Sequence, residues 1–176
     1  MVLDYVGIKR FRKVRYPYAD VEVEVRSHLF WDLLEEGGWE RETGRVLAET
    51  IQEGDIFFDI GSYIGTYALL ASKLVGTRGN VYAFDPDEKA NKIIKDNIQK
   101  NNSSNIFLEK IALSNKSGNA MLKADLLGLS RSSIVDKINR KNKRKRQVIT
   151  TTLDDFCVEN NVVPTGIKID VEGVND

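Results

Sequence analysis

Asp59-Ile60-Gly61-Ser62-Tyr63-Ile64-Gly65 lies between a strand-like apolar run, Ile56-Phe57-Phe58, and a helix-like run from Thr66 to Val75. A strand, a glycine turn and a helix start in succession gather unpaired backbone N–H groups at one point, where a carboxylate or phosphate is held. Spacing narrows the ligand. A dinucleotide site needs G-x-G-x-x-G, whose second glycine lets a pyrophosphate approach the backbone; Tyr63 fills that place. Asp59, two residues before the first glycine, repels a pyrophosphate and suits a cation. S-adenosylmethionine (SAM) fits better, since it carries a sulfonium and an ammonium and no phosphate. Its carboxylate takes the helix-start amides while Asp59 faces the ammonium, directly or through water. The competing reading is an ordinary βα turn whose aspartate only bonds its own loop.

The next strand supplies a second acid. Val81-Tyr82-Ala83-Phe84 ends in Asp85-Pro86-Asp87, and a carboxylate at a strand's C-terminal end accepts both hydroxyls of an adenosine ribose. Asp85 is the expected ribose ligand. Asp87 takes the helix-capping role ahead of Ala90, Ile93, Ile94 and Ile98, which share one helical face.

At 176 residues the chain suits one domain with a proper core. With 41% apolar and 30% charged residues, the composition is that of a water-soluble globular protein. Formal net charge is zero, so no global field steers the chain to nucleic acid or an anionic membrane. No run approaches the about eighteen apolar residues of a membrane span, and the start lacks a signal peptide's apolar region. The default compartment is the cytoplasm. Cys157 is the only cysteine and His28 the only histidine. An internal disulfide and a histidine-rich metal motif are excluded, and both residues read as packing.

Along the chain, 12–15 and 21–25 read as short strands around a turn at Tyr16-Pro17-Tyr18-Ala19-Asp20, with Val21, Val23 and Val25 alternating against Glu22 and Glu24. A helix is expected over 40–52, with Val46, Leu47, Thr50 and Ile51 inward. Strand 55–60, helix 65–75, strand 80–85, helix 87–100 and strand 105–112 follow. Such alternation predicts a doubly wound parallel sheet with helices on its faces. The segment around Ala120-Met121-Leu122 pairs with 147–152 as an antiparallel insert. Thr152-Leu153-Asp154-Asp155 opens a short helix as a capping box, and Gly166-Ile167-Lys168-Ile169-Asp170 is a fourth parallel strand ending in an acid. The run 137–146 holds seven positive charges and no aromatic residue, which fits a solvated loop, or a contact to an anionic substrate or RNA backbone. Ser130, Ser132 and Ser133 precede it as candidate pocket-mouth residues.

These segments resemble the FkbM-type SAM-dependent methyltransferases. The resemblance runs from about Trp39 to Gly173 and rests on WERET (39–43), GDIFFDIGSYIGTYALLASKLVG (54–76), VYAFDPDE (81–88), IALSNKSG (111–118), TTLDDF (151–156) and IKIDVEG (167–173). It implies a Rossmann-like α/β methyltransferase sheet. Residues 1–38 are then an N-terminal β/α appendage and 39–176 the SAM-binding domain. It further implies that Asp59, Gly61, Ser62, Tyr63 and Gly65 hold the methionine part of SAM, that Asp85, followed by Pro86, binds the ribose, and that Lys110-Ile111-Ala112 flank the adenine. Tyr63 departs from the small polar residue, often Asn, usual at that place, and Asp85 from the commoner Glu.

The family mostly methylates hydroxyls of sugars, glycans and natural products, and that is the function the resemblance implies here. Methyl transfer to an alcohol needs alignment and removal of a proton. Asp170 and Glu172, at the fourth strand's carboxyl end beside the switch-point crevice, are the candidate catalytic pair. A divalent metal bridged by them has no further ligand spacing behind it, so no metal is expected. The family sheet usually has seven strands in the order 3-2-1-4-5-7-6, and this chain stops six residues after the fourth. The expectation is a truncated sheet whose apolar edge invites self-association. Two alternatives stand beside the enzyme reading: a SAM-binding remnant without catalysis, and an RNA methyltransferase using the basic run. No N-P-P-Y-like tetrapeptide follows the fourth strand, which argues against base-amine methylation.

Overall fold

A computed structural model describes residues 11–26, 40–123, 133–135, 145–171 and 174–175. Several expected features fall outside those residues: His28, Ser130 and Ser132 at the expected pocket mouth, most of the basic run (137–144) and, among the site candidates, Glu172.

The chain alternates strands and helices as its apolar periodicity requires. Strand β3 (Ile56–Ile60), helix α2 (Thr66–Val75), β4 (Asn80–Phe84), α3 (Glu88–Lys100) and β5 (Ile106–Glu109) are followed, after a second sheet, by α4 (Leu153–Asn160) and β10 (Gly166–Ile169). The four strands form one parallel sheet in the order β10-β3-β4-β5. Order and direction match the expected doubly wound core, with the first strand of the motif at the centre and the fourth beside it. Among the described residues β10 is an edge, and Ile169 on it is 66% exposed.

One face of this sheet carries two further layers. Phe57, Val81, Ala83 and Ile106 pack with Leu69, Ala71 and Val75 of α2 and Ile94 of α3. Over the helices lies a hairpin of β1 (Phe11–Tyr16) and β2 (Val21–Arg26), whose Val14, Tyr16, Val23 and Val25 join the same cluster. A helix sandwiched in this way has no solvent face, and α2 is accordingly buried at eight of its ten positions. The hairpin is tied to α3 by carboxamides. Asn97 Oδ1 accepts the Arg26 N–H at 2.6 Å while its Nδ2 donates to the Ile64 carbonyl at 2.7 Å. Asn101 exchanges hydrogen bonds with both the N–H and the carbonyl of Glu24.

The other face holds an aromatic cluster. Phe58, Phe84 and Phe156 meet edge-on or tilted, with Phe84 and Phe156 ring centroids 4.8 Å apart. Phe156 comes from α4, and Val162 and Ile111 complete the contact.

Three local expectations are corrected. The first helix, α1 (Arg41–Thr50), is shorter than 40–52, because Ile51 already has extended backbone. It buries Gly44 and Leu47, whereas Val46, expected inward, is 48% exposed, and Thr50, also expected inward, is exposed as well. The continuous strand 105–112 is two strands. The chain leaves the parallel sheet after Glu109, and Ala112–Leu113 (β6) joins a second sheet instead, where Ala112 pairs with Thr150. That second sheet is larger than a simple antiparallel insert. Strands β6, β7 (Gly118–Lys123), β8 (Ser133–Val135), β9 (Lys145–Thr151) and β11 (Val174–Asn175) run in the order β11-β8-β7-β9-β6. The expected pairing of 120–122 with 147–152 is the antiparallel β7–β9 ladder, while β6–β9 and β11–β8 are parallel. The capping box is completed by a third residue. Thr152 Oγ1 accepts the Asp155 N–H at 2.9 Å, but Thr152 N–H donates to Ser117 Oγ, which in turn donates to the Asp155 carboxylate.

Candidate active site

The site candidates collect at the carboxyl ends of β3, β4 and β10, the edge where open α/β sheets hold ligands. Register explains why. Asp59 pairs with Ala83 on one side and Lys168 on the other, and residues directly across a parallel ladder point to one face. Asp85 and Asp170 follow two residues after Ala83 and Lys168. The two aspartates at the strand ends therefore share a side of the sheet.

Turn geometry sets the loop between them. Gly61 (φ 80°) and Gly65 (φ 81°) are left-handed, and so is Tyr63 (φ 51°). The N–H groups of Gly61 and Ser62 both donate to the Phe84 carbonyl at 3.0 Å, which folds the loop over the end of β4. The glycines answer to the protein's own packing. A Cβ on Gly61 would collide with the backbone carbonyl of Asp170, and one on Gly65 with the Ile94 side chain. Close approach of β10 to the loop is thus a property of position 61. Helix α2 starts at Gly65 with no side chain capping it, so the N–H groups of its first turn are left for a ligand or solvent.

Asp85 is buried and doubly held. Its Oδ2 accepts the Tyr63 N–H at 2.9 Å and its Oδ1 the Asp87 N–H at 2.8 Å. Burial pushes its carboxyl up to about 7; the two N–H bonds pull the other way, and the charges of Asp87 and Asp59 add to the rise. Each carboxylate oxygen has two lone pairs, so one remains on each for a vicinal diol. Asp87 caps α3 as expected, accepting Lys89 N–H at 2.7 Å and Ala90 N–H at 3.3 Å. Asn91, which the sequence did not single out, donates to the carbonyls of Asp85 and Asp87 and fixes the Asp85-Pro86-Asp87 corner. Its signal is position, four residues after a capping aspartate.

Asp59 lies beneath the loop. Its side chain is 1% exposed and pairs with Lys168, whose Nζ is 3.3 Å from Oδ1. Apart from that ammonium, neither carboxylate oxygen has a partner. Ser62 turns its hydroxyl inward to the Asp59 carbonyl at 2.6 Å, so only its backbone faces the loop's outer side. Asp170, in contrast, has a 61% exposed side chain, and its Oδ2 is 3.6 Å from Lys168 Nζ. Its N–H donates to the Ile60 carbonyl, continuing the β10–β3 ladder beyond the strand. Ile111 packs in the aromatic cluster and Ala112 is buried in β6. They follow Glu109, whose carbonyl accepts the Asp85 N–H. On the far side of the corner Arg146 of β9 reaches Glu88 at 2.7 Å, so the second sheet touches the start of α3.

The residues fit SAM on three observations: an uncapped helix start, a carboxylate with two unused lone pairs, and a buried carboxylate oxygen with no partner. No group of three or more metal-ligating side chains occurs among the described residues.

The model of the methyltransferase FkbM domain matches residues 59–174. Among characterised proteins, the hexuronic acid methyltransferase AglP of Haloferax volcanii is 29% identical over 136 residues, which cover 76% of this chain and 52% of AglP. The chain therefore spans about half the length of that curated relative. Among solved structures, a SAM-dependent methyltransferase from Aquifex aeolicus superposes with a TM-score of 0.38 at 33% identity, over 41% of this chain and 38% of its own. Trm5b from Pyrococcus abyssi gives a TM-score of 0.39 at 22% identity, over 49% and 25% of the two chains.

Proposed function

Because this chain belongs to the FkbM methyltransferase family, we propose that it takes part in SAM-dependent methylation of a hydroxyl on a sugar, glycan or small natural product. The observation that carries the reading is Asp85. It is a buried carboxylate at the end of β4, clasped by the loop after β3, with a lone pair unused on each oxygen. A cap or a salt-bridge partner would be used up by the protein; this one is left with capacity for a diol. The sugar-acid acceptor of the similar AglP protein puts acidic sugars first among acceptors to try.

SAM, when bound, supplies an already activated methyl group on sulfur. What the chain adds is placement and proton handling. The first turn of α2 holds a carboxylate by its N–H groups, Asp85 holds the ribose hydroxyls, and Pro86 with the 110–112 segment bounds the base. Asp170, exposed beside Gly61, accepts the proton of an acceptor hydroxyl at its carboxylate. Glu172, two residues on in the sequence, is the second candidate for that proton-accepting role.

Titration calorimetry with SAM tests the cofactor half. Wild type is expected to bind and Asp85→Asn to bind about 10-fold to 100-fold more weakly, the loss of a charge-assisted pair of hydrogen bonds. Absence of SAM affinity in the wild type sinks the reading. Transfer of labelled methyl to a uronic-acid-containing oligosaccharide tests the other half. Asp170→Asn is expected to abolish transfer while leaving SAM affinity within about twofold.

A further inference from the structure

Asp59 has a cofactor role above and Lys168 has none, yet the two form the most completely buried charge pair among the described residues. Lys168 is set opposite Asp59 by strand register. Its side chain is 10% exposed, its Nζ lies 3.3 Å from Asp59 Oδ1 and 3.6 Å from Asp170 Oδ2, and it sits 5.2 Å from the centre of the Tyr67 ring. Asp59 has no partner on either oxygen besides Lys168. A carboxylate this deep, with neither hydrogen bonds nor a counter-ion, takes up a proton instead. A neutral Asp59 would offer nothing to a cationic cofactor.

The geometry points to Lys168 as a positioning residue for cofactor capture: a resident counter-ion that offsets the burial of the Asp59 carboxylate beneath the Gly61–Gly65 loop and leaves Asp59 Oδ2 without a partner inside the protein. This rests on the reading that the loop holds SAM. The arrangement divides one carboxylate between two cations, a fixed one on β10 and a transient one from the ligand. It also strings three charges in line, from buried Asp59 through Lys168 to exposed Asp170, so the cofactor side and the acceptor side of the site share a single ammonium. Burial alone would lower the Lys168 ammonium's affinity for its proton, but Asp59 and Asp170 outweigh it and hold the group charged.

Several other ionisable groups interact with this cluster. Tyr67 on α2 and Tyr16 on β1 feel the Asp59 charge, and burial raises both phenols well above their ordinary range, so they stay neutral. Tyr18 lies beyond Tyr16, Glu40 beside Tyr67 and Lys168, and Asp85 at the end of β4 also feels Asp59. Asp85 titrates near neutrality in its own right, so the informative quantity is the ratio of variant to wild type at each pH.

The experiment compares Lys168→Gln, Lys168→Arg and the double variant Asp59→Asn/Lys168→Gln with the full wild-type chain, by urea midpoint and by SAM titration at about pH 5 and about pH 8. In Lys168→Gln the folded state holds a proton on Asp59 that the unfolded state has released. Its loss in urea midpoint is therefore expected to be larger at the alkaline end. Lys168→Arg restores the wild-type pattern, and the double variant loses the pH dependence. SAM binding by Lys168→Gln is expected to weaken by about tenfold or more at the acid end, where Asp59 is protonated, and by less at the alkaline end. Equal stability losses at both pH values, or SAM affinity in Lys168→Gln matching wild type throughout, overturn the proposal. Failure of the cofactor reading looks different: the wild type itself then shows no SAM affinity, and the positioning role falls with it.

Discussion

Asp85 Oδ2 accepts the backbone N–H of Tyr63 across 2.9 Å, so the acid at the end of β4 and the turn after β3 are one rigid corner. The same carboxyl, buried, is pushed up to about 7. A raised acid binds its proton more tightly in the folded than in the unfolded chain. Its contribution to stability is therefore favourable to the protonated fold and declines as pH rises from about 4, its unfolded value, through about 7. The expected outcome is an unfolding free energy, from urea titration, that falls over this window by an amount on the order of a few kcal/mol and flattens in Asp85→Asn. SAM affinity runs the other way, strengthening as Asp85 ionises. Opposite slopes from one residue are the distinguishing mark, and parallel slopes would assign the titration elsewhere.

Tyr63 is a bulky residue in left-handed backbone, a conformation that costs an L-residue with a Cβ roughly 1–2 kcal/mol. Truncating the ring removes its packing equally in Tyr63→Ala and Tyr63→Gly, but only glycine relieves the backbone. Tyr63→Gly is expected to be about 1 kcal/mol more stable than Tyr63→Ala by urea unfolding. That reverses the order found at ordinary positions. It also accounts for Asn as the commoner residue at this place, since Asn enters the left-handed region more readily.

Much of this was readable from residues alone. The glycine spacing, the acids at consecutive strand ends and the alternation of apolar runs located β3, α2, β4 and α3 to within a residue or two, because each is a local pattern with a local cause. The capping aspartate was separable from the ribose candidate by its offset from Ala90 and Ile94. What was hidden depends on the third dimension. Val46 and Leu47 have the same local claim to burial, and only the placement of α1 decides for Leu47. The break between Glu109 and Ala112 is set by which sheet each half joins. That Asp59 is paired to Lys168 follows from strand register, and sequence distance gives no hint of it across more than a hundred residues.

Gly61 and Gly65 are left-handed alike but fail differently when substituted. At Gly61 the obstacle is the backbone of Asp170, which cannot step aside without separating β10 from β3. At Gly65 it is the Ile94 side chain, which can be shortened. A double-mutant cycle between Gly65→Ala and Ile94→Ala is expected to show a favourable coupling of about 1 kcal/mol, the remaining loss being backbone strain. Gly61→Ala is expected to cost at least ~2 kcal/mol and to gain nothing from Ile94→Ala. A coupling at Gly61 equal to that at Gly65 would contradict the assigned contacts.

Asn97, fully buried, serves two distant segments at once, the Arg26 N–H and the Ile64 carbonyl. Asn97→Ala orphans the part-buried Arg26 N–H and the buried Ile64 carbonyl, each worth about 1–3 kcal/mol. The expected loss is roughly 2–4 kcal/mol, read by urea unfolding, with easier proteolysis of the β1–β2 hairpin. A cost below 1 kcal/mol would mean that water replaces both bonds, about as well as the carboxamide does.

The carboxamide of Asn101, bonded to both the N–H and the carbonyl of Glu24, imitates one peptide unit of a neighbouring strand that none of the described residues supplies. With Asn97 on Arg26, it closes the rim of β2 that would otherwise lie open as a template for a foreign chain. The amide protons of Glu24 and Arg26 should accordingly exchange with deuterium as slowly as those shared between β1 and β2. A helix surface can finish a sheet with side chains alone, and the hairpin then opens only when α3 lets go.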